Sequence, residues 1–256
     1  MIVSAILTLN LLLGAKPSTP VEEARPVLVL YETNALTFYP FSESPAFALY
    51  DNGEVIFTRK DPQGHGIKYF HEKLQKEEFF DFIRKTEFDT ILDESGENKS
   101  FSEDTDQPDN YVYRFSSKNV WFYRYYGDLR STGSPARKRA PQRLIQLFDR
   151  LAQYAPLRGL QEWIPDQYEL IAQCNEAKGK TAPWPKNLPD LKSPTTKKMD
   201  ETIASLFLTK DQYQAYQAAE ATRPDGLKFR ISGRSCFLVT RIPFPLENLW
   251  MGLPPH

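Results

Sequence analysis

Apolar and polar residues change rhythm several times along this chain, and each rhythm predicts an element. Val27-Leu-Val-Leu-Tyr31 is a short apolar run and reads as a strand. Pro45 to Tyr50 and Glu54 to Thr58 flank Asp51-Asn52-Gly53. Asn-Gly between two apolar runs is the strongest short hairpin signal, because both residues tolerate positive φ. Gly66 to His71 reads as a third strand. From Leu74 to Glu87 the period lengthens, and Leu74, Phe79, Phe82 and Ile83 fall on one side of a helix. Asp93 to Asp109 is acidic and reads as a loop. Tyr111 to Phe115 and Val120 to Tyr126 flank Ser116 to Asn119, a second hairpin. Pro141 opens an amphipathic helix whose stripe is Leu144, Ile145, Leu147, Phe148 and Leu151, ending near Pro156.

The second half is less regular. Pro165 to Glu176 reads as a short helix carrying Cys174. Thr181 to Leu191 is extended and stiffened by proline. Met199 to Leu206 and Thr209 to Ala221 read as helices, the latter opened by the capping pair Thr209 and Gln212. Leu227 to Ile231, a turn at Ser232-Gly233-Arg234, and Ser235 to Ile242 form a third hairpin. Hairpins with segregated helices predict an α+β fold. Its hairpin-rich antiparallel sheet packs against helices, and its Pro-rich second half carries short helices and a C-terminal hairpin. The expected organisation is a leader (1–15), a linker (16–26), an α+β unit (27–156), and a smaller α+β unit or extension of the same sheet (157–256).

The leader follows from an uncharged apolar stretch through Ala15, stopped by Lys16-Pro17-Ser18-Thr19-Pro20. That is the outline of an export signal, although its n-region lacks Lys and Arg and Leu13 occupies a position that favours a small residue. No stretch reaches the about 20 apolar residues of a membrane helix, so no stable span is expected. The expected location is periplasmic or extracellular. With 41% apolar and 13% aromatic residues the chain can build a core. Thirty-two basic residues against thirty-three acidic leave a charge of −1, which supplies no global field for nucleic acid. Cys174 and Cys236 are the only cysteines. In an oxidising compartment they can form one disulfide, and two separate buried thiols are the alternative.

Pro45-Ala-Phe-Ala-Leu-Tyr-Asp-Asn-Gly-Glu-Val-Ile56, Thr105-Asp106-Gln107-Pro108 and the Tyr126-Gly127 close resemble a family of uncharacterised exported bacterial proteins. That family carries a P-x-F-x-L-Y-G-D-G-x-V-I segment, a helix, a T-D-x-P turn and a strand pair ending in Tyr-Gly. The likeness covers residues 45–155 and implies export and this architecture. It brings no reaction, ligand or catalytic residue with it.

Chemistry-bearing residues are sparse. His65 and His71 would lie about 20 Å apart on a straight strand at ~3.3 Å per residue, too far to share a metal ion. His256 ends the chain. No nucleophile motif appears. Glu103, Asp104, Asp106 and Asp109 cluster in one loop, but Pro108 and a missing glycine break the calcium-loop spacing, so they read as a solvated turn. No metal or cofactor is expected. Between Tyr111 and Tyr126 aromatic residues dominate a strand pair, and one face could form an exposed aromatic platform. The candidate binding residues are therefore Trp121, Tyr123 and Tyr125 with Arg124, and the adjacent basic patch Arg130, Arg137, Lys138, Arg139 and Arg143 near a helix start. Cations are disfavoured there by the helix dipole. Trp184 and Trp163 read as anchors onto their own domain. The expected function is a non-catalytic binding protein of the cell envelope with a protein or glycan partner. The alternative is a hydrolase acting on an envelope or extracellular substrate.

Overall fold

A computed structural model describes residues 24–33, 43–61, 66–88 and 106–251. The leader 1–15, most of the linker, Glu103, Asp104, Thr105, His65 and His256 lie outside the described residues. The described chain folds into a mixed α+β architecture with two antiparallel-rich sheets. The first has the order β6-β5-β1-β2-β3-β4-β7. Its strands are β1 (Pro26–Glu32), β2 (Phe47–Tyr50), β3 (Glu54–Lys60), β4 (Ile67–Lys73), β5 (Asp109–Phe115), β6 (Val120–Tyr126) and β7 (Gln161–Glu162). The second has the order β10-β11-β8-β13-β12-β9. It is built from β8 (Tyr168–Glu176), β9 (Thr181–Pro183), β10 (Lys197–Lys198), β11 (Ile203–Leu208), β12 (Lys228–Ile231) and β13 (Arg234–Arg241). Among the described pairings, β9–β12 is parallel and the others antiparallel.

The hairpin at Asn52-Gly53 forms as its residues predict, with one refinement. Gly53 takes positive φ (+85°), while Asn52 instead uses its side-chain oxygen to accept from the Glu54 amide at 2.8 Å. A Cβ on residue 53 would sit 2.6 Å from the Leu74 carbonyl oxygen, which is backbone and cannot swing away. Gly53→Ala therefore combines left-handed strain with a clash, and we expect a loss of roughly 1–3 kcal/mol in urea unfolding. A change within experimental error would show that the turn re-forms at no cost.

One face of the first sheet is covered by helices. α1 (Lys76–Thr86) contributes Phe79, Phe82 and Ile83, and α3 (Gln142–Ala152) buries its whole expected stripe, Leu144, Ile145, Leu147, Phe148 and Leu151. A short α2 (Pro135–Arg139) precedes α3. The other face packs Tyr31, Tyr50, Tyr111 and Tyr113 beneath Trp163, Phe244, Trp250 and Met251. The boundary expected near residue 156 is thus crossed: β7, Trp163 and the C-terminal segment complete the first sheet. In the second sheet α4 (Lys210–Thr222) covers Leu170, Leu206, Leu208 and Phe229, and its Thr209–Gln212 capping box is present. Trp184 packs on Phe229 and donates to the Pro189 carbonyl, anchoring its own domain.

Two expected helices are strands. Residues 168–176 form β8, which lies between β11 and β13 and is buried along most of its length. A strand buried on both faces shows a continuous apolar run, which periodicity alone does not separate from a helix. Residues 203–208 form β11. Asp200 stops any helix before it by accepting from the amides of Thr202 and Ile203 at 2.6 and 2.7 Å, a side-chain turn that turns the chain into the strand. Cys174 and Cys236 sit directly opposite each other on β8 and β13 and are joined by a disulfide.

Candidate functional site

Tyr123 and Tyr125 are core residues, 6% and 5% exposed, facing Leu144 and its neighbours. Tyr125 also donates its hydroxyl to the Ala136 carbonyl at 2.8 Å. On the opposite face Tyr111, Tyr113, Phe115 and Phe122 lie under Phe244 and Trp250. The aromatic ribbon is covered on both faces and is not an open platform. Only Trp121, at 39% exposure near the hairpin tip, meets solvent substantially. Arg124 forms a bidentate pair with Asp109 at 2.9 and 3.0 Å and lies over the Tyr111 ring. The carboxylate bonds hold its guanidinium pKa above the usual value.

The basic patch also divides. Arg137, Lys138 and Arg139 form the last turn of α2, not the first turn of the following helix, so their charges complement a helix C-terminus instead of opposing an N-terminus. Arg137 is committed to Asp149 and the Leu129 carbonyl. Lys138 and Arg139 are exposed. Arg143 borders a groove of about 880 Å³ between α1 and α3. That groove is the larger, but its acids are already matched: Glu78 by Arg158, Asp81 by Arg84 and Lys85, and Asp149 by Arg137. His71 is paired with Glu54 at 2.7 Å across β3 and β4. Among the described residues no group of side chains could hold a metal ion.

Arg130 leads elsewhere. Antiparallel order brings the end of β1, the start of β2, the end of β3, and the starts of β4 and β5 to one end of the first sheet, where the chain also leaves β6. Between them lies a cleft of about 720 Å³ that Arg130 lines together with Glu32, Glu43, Arg59, Lys60, Asn110 and Asp128. Asp128 fixes the local turn by accepting from the amides of Arg130 and Ser131. Glu32 holds the Arg130 guanidinium through both oxygens.

Two groups in this cleft are unlike the rest. Arg59 donates to the carbonyls of Thr58 and Ala152, capping the C-terminal end of α3, and stands over the Phe57 ring. No carboxylate among the described residues pairs with it. Burial, and then the charge of Arg130, push its pKa down. Arg59 and Arg130, the latter already paired with Glu32, thus line the same cleft. Asn110 is 3% exposed. Its Nδ2 donates to the carbonyls of Tyr125 and Gly127 at 3.0 and 2.7 Å, which orients the amide. Its Oδ1 is buried and accepts nothing among the described residues. A buried acceptor left empty costs about 1–3 kcal/mol and so invites a donor.

Neither Arg59 nor Asn110 was expected from the sequence. The available signal was weak: an asparagine inside a strand, where its propensity is poor, and Arg59-Lys60 closing an apolar strand. Comparison with known proteins returns no matching family model, no matching curated protein and no matching solved structure.

Proposed function

We propose that this is a non-catalytic binding protein that takes a small carboxylate carrying an adjacent hydroxyl or amine donor in the cleft at the end of the first sheet. The ligand carboxylate lies against Arg59 and Arg130, and its donor reaches Asn110 Oδ1. The observation that carries the reading is the placement of Arg59 and Arg130 on one cleft wall, where no carboxylate among the described residues pairs with Arg59. Such chemistry occurs at the acidic residue of a glycan and at a peptide terminus, and both suit an exported protein of the cell envelope. The disulfide supports an oxidising compartment for it.

The test is calorimetry with glucuronate and glutamate as probes. We expect one of them to bind with a dissociation constant near or below about 1 mM, equivalent to about −4 kcal/mol. Arg59→Gln should weaken it at least tenfold, while the exposed Lys138→Gln leaves it unchanged. Glucuronate binding points to a glycan, glutamate binding to a peptide. Absence of binding by both, or equal binding by Arg59→Gln with its melting curve intact, removes the proposal. Should Arg59→Gln fail to fold, Arg59→Lys, which keeps the charge but cannot reach two carbonyls at once, gives the same reading through a smaller loss.

A further inference from the structure

The segment that follows β13, residues 242–251, joins neither sheet as a strand. It lies instead across the tyrosine face of the first sheet, to which Phe244, Trp250 and Met251 belong. Its polar fastenings are few. The Ile242 amide donates to Ser44 Oγ at 2.9 Å, and the Tyr50 hydroxyl donates to the Pro245 carbonyl at 3.0 Å. Arg241, the last residue of β13, donates to Glu247 and to the Met251 sulfur. Leu246 takes positive φ (+56°), a conformation strained for a bulky side chain, so the closed segment holds strain that opening releases.

The fastening at Arg241 is a sealed group of charges. Arg241 stands opposite Glu169 across the β8–β13 pair, with an ion pair at 3.2 Å, and Glu247 meets the same guanidinium from the segment. Arg241 and Glu169 are buried, and Glu247 is largely so. The other polar groups that face them carry no charge near neutral pH. Tyr50 on β2 lies near Glu247, and Tyr31 on β1 and Tyr69 on β4 lie near Arg241; burial pushes all three hydroxyls up from 10. The Phe244 amide donates to Glu247 at 3.1 Å. One cation therefore answers two acids. With both carboxylates ionised a net negative charge is shut inside, and one proton on the pair removes it.

We propose that Glu169, Arg241 and Glu247 form a proton-operated latch: segment 242–251 stays closed while the acid pair keeps a proton, and opens from the first sheet as that proton leaves. Geometry assigns the movement to Glu247. Glu169 is fixed within β8, between β11 and β13, whereas Glu247 enters water when the segment lifts. The direction follows from burial, which raises Glu247 from 4.5 to about 7 in the closed state. Closure is favoured fully below 4.5, and that advantage is lost as pH rises through 7. At tenfold per pKa unit, opening becomes on the order of a hundredfold more frequent above pH 7 than below pH 4.5. It uncovers Phe115, which meets Trp250, and Tyr69, which meets Phe244. The latch stands whether or not the cleft takes a ligand.

The experiment is hydrogen exchange of the whole protein from about pH 4.5 to about pH 8.5, with each rate corrected for the intrinsic pH dependence of amide exchange. The Ile242, Trp250 and Met251 amides report on the segment, and the Ile171 and Ala172 amides of β8 report on the core. We expect the segment amides to exchange faster than those of β8 at every pH, and their protection to fall on the order of a hundredfold as pH rises. Glu247→Gln keeps the shape but cannot ionise, so its segment should stay equally protected across the range. Glu169→Gln leaves one acid for one cation and should also remove most of the fall, which decides the matter if Glu247→Gln does not fold. Wild-type segment protection that ignores pH overturns the proposal. So does the same fall in Glu247→Gln, because another group then carries it. Equal protection of the segment and β8 also overturns it, because the whole molecule then unfolds at once.

Discussion

Arg241→Met will lower stability by about 3–5 kcal/mol near pH 8 and by clearly less near pH 5. Arg241 is 3% exposed on β13 and stands between two acids, Glu169 on the neighbouring β8 and Glu247 in the C-terminal segment. One guanidinium thus serves two buried carboxylates. Burial raises the Glu247 pKa from 4.5 to about 7, Arg241 pulls it down, and Glu169 pushes it up. The wild-type sign follows. Between about pH 4.5 and 7 the folded chain keeps a proton that the unfolded chain has released, so this group favours the folded state fully below 4.5. Its contribution, at most about 3 kcal/mol, is lost as pH rises through 7. Without Arg241 only the Phe244 amide still pulls the pKa down, and near pH 8 the fold must either bury a charge with no cation beside it or hold a proton against the solvent. Near pH 5 Glu247 is already neutral and that part of the penalty disappears. Urea unfolding of both proteins across this range measures the difference. A penalty independent of pH would mean that packing, not charge, is what Arg241 supplies.

The second large effect is expected at the disulfide. Cys174→Ala with Cys236→Ala should cost about 3–4 kcal/mol, mostly through the freedom regained by the unfolded chain. The bond joins residues 62 apart, and the segment it closes contains β9 to β12 and α4, most of the second sheet's own material. Both sulfurs are buried, so reductant added to folded protein should act slowly, and the same reductant in urea should reproduce the double variant's stability. A double variant within about 1 kcal/mol of wild type would show that pairing of β8 with β13 carries the second sheet without the crosslink.

Local signals in the sequence reach the elements whose stabilising contacts are local. Asn52-Gly53, Ser116 to Asn119 and Ser232-Gly233 mark hairpins because turn geometry is decided within a few residues, and all three hairpins are present. The stripe of α3 is visible for the same reason. β8 was not readable in this way. Its Leu170-Ile171-Ala172 run is buried throughout, and its polar Glu169 is buried too, because Arg241 waits for it far along the chain. Distance in sequence likewise hid the cleft. Arg59 and Asn110 end up together only because sheet order brings the end of β3 and the start of β5 to the same side, and no spacing rule records that. The aromatic ribbon was legible as a ribbon. Its burial was not, since the residues that cover it, Phe244 and Trp250, lie more than a hundred positions further along and carry no local mark of where they land.

Tyr50 donates to the Pro245 carbonyl, and the Ile242 amide donates to Ser44, so the final dozen described residues are stitched to the opening hairpin. Until that segment docks, Tyr31, Tyr50 and Tyr113 lie under only part of their cover, that supplied by Trp163. Turns and helices can form locally, but this face of the first sheet is complete only with the 242–251 segment in place. Completing the first sheet therefore depends on contacts between residues nearly two hundred positions apart, the kind of closure that slows folding.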